Sequence, residues 1–155
     1  LNSHSSTPAE VSLLETNLDD MTPEALGFLM EKLLAIGALD VYFTPIQMKK
    51  NRPATMLSVI VRPEDEERIA ETILRESSSF GLRVSHRQRY IAERDFAEVE
   101  ISVGKVRVKR KILNGEIIEV VPEYESVAAL ARQTNRPWRE IYDEAKKALV
   151  KSGKN

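Results

Sequence analysis

The sequence predicts an α+β chain: a ferredoxin-like βαββαβ plait, followed by a small roll-like unit made of a β-meander and two helices. Three observations predict it. Apolar residues recur with strand and helix periods in the order strand, helix, strand, strand, helix, strand over residues 11–94. Two turn signals, Gly104-Lys105 and Asn114-Gly115, then separate three alternating segments. Two amphipathic segments close the chain. The domains expected are therefore residues 11–94 and 95–155, preceded by a polar, disordered leader over 1–10.

Residues 11–18 read as the first strand. Thr22 is a good N-cap, with Pro23 at the first helical position and Glu24 in the first turn. Leu26, Leu29, Met30, Leu33 and Leu34 repeat at helical spacing, and Gly37 ends the helix. Leu39, Val41 and Phe43 alternate with Asp40, Tyr42 and Thr44, and Leu57, Val59 and Val61 alternate with Ser58, Ile60 and Arg62, giving two further strands. Pro63 and the acidic residues 64–67 start a second helix carrying Ile69, Ile73 and Leu74. Leu82, Val84 and His86 open the fourth strand, and residues 87–95 form a charged link. Such a plait leaves one sheet face open to a ligand or another subunit.

In the second unit, the Gly104-Lys105 turn sets Glu100 opposite Lys109 and Glu98 opposite Lys111. The Asn114-Gly115 turn sets Arg110 opposite Glu119 and Ile112 opposite Ile117. Val127, Leu130 and Ala131 mark one helix. Ile141, Tyr142, Ala145 and Leu149 mark another, behind Pro137.

The composition, 42% hydrophobic and 30% charged over 155 residues, is that of a globular protein, and no apolar run is long enough to span a membrane. With no signal peptide and no cysteine, a cytoplasmic location is expected. The chain opens on Leu1 and reads as a piece of a longer protein. The absence of cysteine excludes disulfides and thiol catalysis, and only two histidines, His4 and His86, are present. A soft-metal cage cannot be built from this set, so a bound metal is expected to be magnesium or manganese on carboxylates and substrate phosphates. A net charge of −1 provides no global attraction for nucleic acid.

Two polar strings carry the candidate chemistry. Glu15-Thr16-Asn17-Leu18-Asp19-Asp20-Met21 ends a strand just before a helix, and Asp19 and Asp20 offer hard oxygen ligands. Acidic residues there also favour the helix dipole and its free N–H groups, so both readings stand. Met48-Lys49-Lys50-Asn51-Arg52-Pro53 concentrates three cations in one turn, where lysine offers point charge to phosphate and arginine a planar fork. A solvated hairpin turn would look the same. Ser77-Ser78-Ser79, Gly81 and Arg83 form a third cluster, which reads either as a Ser-rich helix stop or as a phosphate cradle. The strip Lys105, Arg107, Lys109, Arg110 and Lys111 resembles a nucleic-acid patch, but Glu98, Glu100 and Glu119 are placed to neutralise it. Trp138 reads as a core or interface anchor.

Residues 15–24 closely resemble a signature of the LarC family, the nickel-insertion proteins for the nickel-pincer nucleotide cofactor. Gly37-Ala38-Leu39-Asp40-Val41, Thr44-Pro45-Ile46, Met48 to Pro53 and Pro122-Glu123-Tyr124-Glu125 match the same family in order. The resemblance spans residues 11–150 and points to the family's C-terminal region, without the N-terminal region that is histidine-rich in many members.

The resemblance implies a cyclometallase of the lyase class that inserts Ni2+, its substrate ion, into pyridinium-3,5-bisthiocarboxylic acid mononucleotide. It implies consumption of CTP to CMP and pyrophosphate with Mn2+ or Mg2+, a CTP-binding role for this region, and action in a homo-oligomer. On that basis Asp19 and Asp20 are assigned to the metal, and Lys49, Lys50 and Arg52 to phosphates. Asn51 is assigned to sugar or base, with Ser78 and Arg83 as further nucleotide contacts. Asp19, Asp20 and Lys49 are the catalytic candidates. Two other readings are a regulatory plait that senses a small metabolite without catalysis, and a nucleic-acid-binding regulator using the basic hairpin or the terminal helices.

Overall fold

A computed structural model describes residues 9–151. Among the described residues, 9–89 and 90–151 fall into two compact units, each with its own core. Of the leader expected over 1–10, residues 1–8 lie outside the described residues, while Ala9 and Glu10 begin the first strand.

The first unit contains β1 (Ala9–Leu18), α1 (Pro23–Ala35), β2 (Asp40–Met48), β3 (Arg52–Val61), α2 (Glu66–Glu76) and β4 (Arg83–Arg89). Its sheet order is β2-β3-β1-β4 with every neighbouring pair antiparallel, as a βαββαβ plait requires. On β1, the even residues Leu14 and Leu18 face α1 and α2. They join Leu57, Val59 and Val61 of β3, Leu29 and Leu33 of α1, and Ile69 and Ile73 of α2 in one buried core. The odd residues of β1 line the opposite sheet face.

Local chemistry fixes the limits of α1. The Thr22 hydroxyl accepts from the Ala25 N–H at 3.3 Å, and Pro23 needs no intrahelical donor. At the other end Gly37 takes φ +105°, and the N–H groups of Gly37 and Ala38 return to the carbonyls of Leu34 and Leu33. The β2–β3 loop spans Lys49–Asn51 as a single tight turn in which Lys50 and Asn51 have φ +59° and +58°. Asparagine tolerates this left-handed region, whereas lysine adopts it at a cost of about 1–2 kcal/mol.

The charged link expected over 87–95 is only three residues long. β4 continues to Arg89, paired with Ala9, and β5 starts at Glu93. Alternating charges in extended chain still complete a ladder when one face is solvated, which a charge run alone does not reveal.

The second unit contains β5 (Glu93–Ile101), β6 (Gly104–Leu113), β7 (Glu116–Pro122), α3 (Tyr124–Thr134) and α4 (Trp138–Lys151). Val99, Val106, Val108, Val127, Ile141 and Ala145 form its core. The first hairpin register differs from expectation. Its turn is Ser102-Val103, and Gly104, at φ +140°, pairs with Ile101, so Glu100 faces Lys105 and Glu98 faces Arg107. The second turn is Asn114-Gly115, with both residues at positive φ and Ile112 opposite Ile117 as expected. A bulge between Lys111 and Ile112 then shifts the ladder, placing Arg110 opposite Val120 rather than Glu119. Among the described residues, no helix is long and apolar enough to cross a membrane.

Candidate functional site

All the candidate residues belong to the first unit and gather where β1 ends. Leu18 pairs with Thr55, so the β2–β3 loop projects past the end of β1 alongside Asp19. Arg52 Nη1 donates to Asp19 Oδ2 at 3.1 Å, bridging the acidic and basic strings. Both side chains are solvent-accessible, so the pair is easily remade around an arriving anion. Lys49 and Lys50 are exposed on the same loop, and Gln47 Nε2 donates to Asn51 Oδ1 at 2.8 Å.

Asp20 turns to a different neighbour. The Ser78 hydroxyl, in the loop after α2, donates to Asp20 Oδ1. The two adjacent carboxylates therefore have distinct environments: Asp19 faces a cation and Asp20 a neutral hydroxyl. The α2–β4 loop is tied further to β1. The Thr16 and Ser79 hydroxyls lie 2.6 Å apart, and the Gly81 carbonyl accepts from them at 3.0 and 2.6 Å. Thr16 is itself buried, so these bonds answer a polar group that would otherwise be costly in the interior.

Arg83 opens β4 opposite Glu15 and donates to Asn17 Oδ1 at 3.1 Å. Glu15 Oε1 accepts from buried Ser58 at 3.4 Å. The strand register puts Glu15, Asn17, Ser58 and Arg83 on the face of the sheet opposite the helices. The parts played by Asn17 and Glu15 are not legible in the sequence, although both stand in the acidic string, because their partners come from strands remote in sequence. Phe80, an aromatic residue inside the Ser-rich loop, is fully exposed.

Among the described residues, no three His, Asp or Glu side chains gather into a cage for a metal. Two carboxylates in a solvated turn nonetheless fit a hard cation that keeps waters and takes its remaining ligands from phosphate oxygens. Asp20, hydrogen-bonded to a hydroxyl rather than to a cation, is the better placed of the two.

The remaining polar clusters have structural partners. Glu66, at the start of α2, accepts from Ser12 Oγ at 2.6 Å and contacts His86 Nε2 at 3.1 Å. The Ser12 hydrogen bond, with lesser help from His86, holds the Glu66 carboxyl below its ordinary range against the opposing effect of desolvation. On β6, Lys105 pairs with Glu98 at 3.3 Å, Arg107 with Glu123 at 3.4 Å, and Arg110 with Asp95. Three of the strip's five cations are thus paired; of the carboxylates expected to neutralise it Glu98 takes part, together with Asp95 and Glu123. Trp138 is partly exposed and stacks on Tyr142 at 4.7 Å, with Tyr124 at 5.8 Å.

A family model described as nickel insertion protein matches residues 2–142. A pyridinium-3,5-bisthiocarboxylic acid mononucleotide nickel insertion protein of Acetivibrio thermocellus is 41% identical over 141 residues, covering 91% of this chain and 34% of that protein. A protein of the same description from Thermotoga petrophila is 44% identical over 131 residues, covering 84% and 33%. The chain thus spans about a third of the length of the curated relatives it matches. A solved structure described as the C-terminal domain of a cyclometallase involved in the synthesis of the NPN cofactor of lactate racemase, in its apo form, superposes with a TM-score of 0.88 at 42% identity. That match covers 93% of this chain and 99% of the other. A crystal structure of a Methanopyrus kandleri protein superposes at 0.68 with 27% identity, covering 94% and 92%.

Proposed function

This chain belongs to the nickel insertion protein family, and from that premise we propose that it is the CTP-binding C-terminal region of a nickel cyclometallase. The full-length enzyme inserts nickel into pyridinium-3,5-bisthiocarboxylic acid mononucleotide, cleaving CTP to CMP and pyrophosphate. The observation that carries the reading is the 3.1 Å contact between Asp19 and Arg52, which joins an acidic tip and a basic bend from separate parts of the chain.

Cleavage between the α- and β-phosphates develops negative charge on both sides of the breaking bond. Arg52 offers a planar fork to two phosphate oxygens, while Lys49 and Lys50 add point charges from a turn of restricted shape. Asp19 holds the Arg52 guanidinium beside the end of β1 until phosphate replaces it. Magnesium or manganese, held by Asp20 with Asp19 and by the phosphates, would neutralise further phosphate charge. Asn51 positions sugar or base, and Ser78 and Arg83 flank the nucleotide. Nickel is cargo, handled by the sulfur-bearing substrate and by the region that accounts for the rest of the relatives' length. The protein acts as a homo-oligomer in the cytoplasm.

Calorimetric titration of this chain with manganese and CTP tests the reading. Saturable heat is expected. Heat no greater than buffer dilution at millimolar nucleotide contradicts it.

A further inference from the structure

Phe80 has the greatest exposure of any large apolar side chain among the described residues, at 107% relative accessibility. Single exposed apolar side chains are common, but a bare phenyl ring gains by leaving water, and the residues around this one are tied down. Ser78 donates to Asp20, the Ser79 and Thr16 hydroxyls lie 2.6 Å apart, and the Gly81 carbonyl accepts from both. Buried Thr16 anchors this network two residues before the end of β1. The ring is therefore presented to solvent by a fixed loop, two residues from the serine that contacts Asp20. Stacking requires this arrangement: an apolar plane, bare and pre-positioned, beside groups suited to phosphate and its counter-cation.

We propose that Phe80 is the stacking platform for the planar heteroaromatic ring of a nucleotide held at this end of the unit, an assignment that rests on the nucleotide reading above. Two rings share the required chemistry, the base of the triphosphate and the pyridinium ring of the mononucleotide. Each is flat and carried on ribose phosphate.

The test compares wild-type protein, Phe80→Ala and Phe80→Trp against manganese–CTP, manganese–tripolyphosphate and nicotinate mononucleotide. Phe80→Ala should weaken at least one ring-bearing probe about tenfold and leave tripolyphosphate unchanged, with Phe80→Trp restoring the affinity. The introduced tryptophan should be quenched by that probe and not by tripolyphosphate. Loss confined to CTP assigns the base, and loss confined to the mononucleotide assigns the pyridinium ring. Unchanged affinity of Phe80→Ala for both rings overturns this proposal while leaving CTP binding intact, and so does an equal loss for tripolyphosphate. A changed sedimentation coefficient with unchanged affinities also overturns it, in favour of a contact with a second copy. Wild-type protein that binds none of the three probes overturns the nucleotide reading and this proposal together. Because Phe80 is fully exposed, its substitution should leave folding unaffected.

Discussion

Asp19 Oδ2 lies 3.1 Å from Arg52 Nη1, across 33 residues of sequence. The pairing follows from the plait itself. β3 returns beside β1, so the loop preceding β3 overhangs the point where β1 gives way to α1. A carboxylate and a guanidinium in water gain only about 0.2–1 kcal/mol from such a contact, and it is therefore readily exchanged for a phosphate.

Arg52→Ala or Lys49→Ala should weaken manganese–CTP by about 1.5–3 kcal/mol, roughly tenfold to over a hundredfold, as read by calorimetry. Thermal stability should barely move, since both residues are exposed. Unchanged affinity in either variant removes that residue from the site.

Asp20→Asn keeps a hydrogen-bonding partner for Ser78 but removes the charge. It should lower the affinity for CTP in manganese towards the metal-free value, while binding of metal-free nucleotide stays the same or improves. Titrating CTP with and without manganese in both proteins measures this directly, and an undiminished metal effect would exclude Asp20 as a ligand.

Glu66 supplies a pH test unrelated to the nucleotide. Its folded-state pKa lies below the unfolded glutamate value of about 4.3. Its contribution to stability is therefore complete above that value and is lost as pH falls through the folded pKa. Ser12→Ala removes the largest cause of the shift, so the Glu66 carboxyl should titrate at higher pH and stability should depend less on acid. Carbon-detected NMR titration and denaturation midpoints between pH 2 and 6 check the two effects.

Leu29 is fully buried between α1 and the sheet. Leu29→Ala should cost about 2–5 kcal/mol, seen as a lower denaturant midpoint. This variant also separates global destabilisation from the binding losses expected at Arg52 and Asp20.

The parts of the fold legible in sequence were those where one residue carries its own backbone instruction. Thr22, Pro23 and Gly37 set both ends of α1, and Asn114-Gly115 set a hairpin turn. Register was harder to read. Gly104 looked like a turn residue, but its positive φ serves the first paired position after a Ser102-Val103 turn. No single residue announced the bulge at Lys111/Ile112. At the candidate site, residue types were legible, and so was the meeting of the acidic and basic strings that the Asp19–Arg52 contact makes. The partners of the other residues were not: nothing near Asp20 indicates Ser78, and Arg83 finds Asn17 only because β4 lies beside β1. The exposure of Phe80 likewise follows from the path of its loop, because hydrophobicity alone would have buried it.

The most direct test is a crystal structure of this chain grown with CTP and manganese, with the metal located by its anomalous scattering. An anomalous peak is expected within bonding distance of Asp20 or Asp19, with phosphate oxygens in contact with Arg52 and with Lys49 or Lys50. Nucleotide and metal seated elsewhere in a crystal that leaves the end of β1 open to solvent would contradict the nucleotide reading.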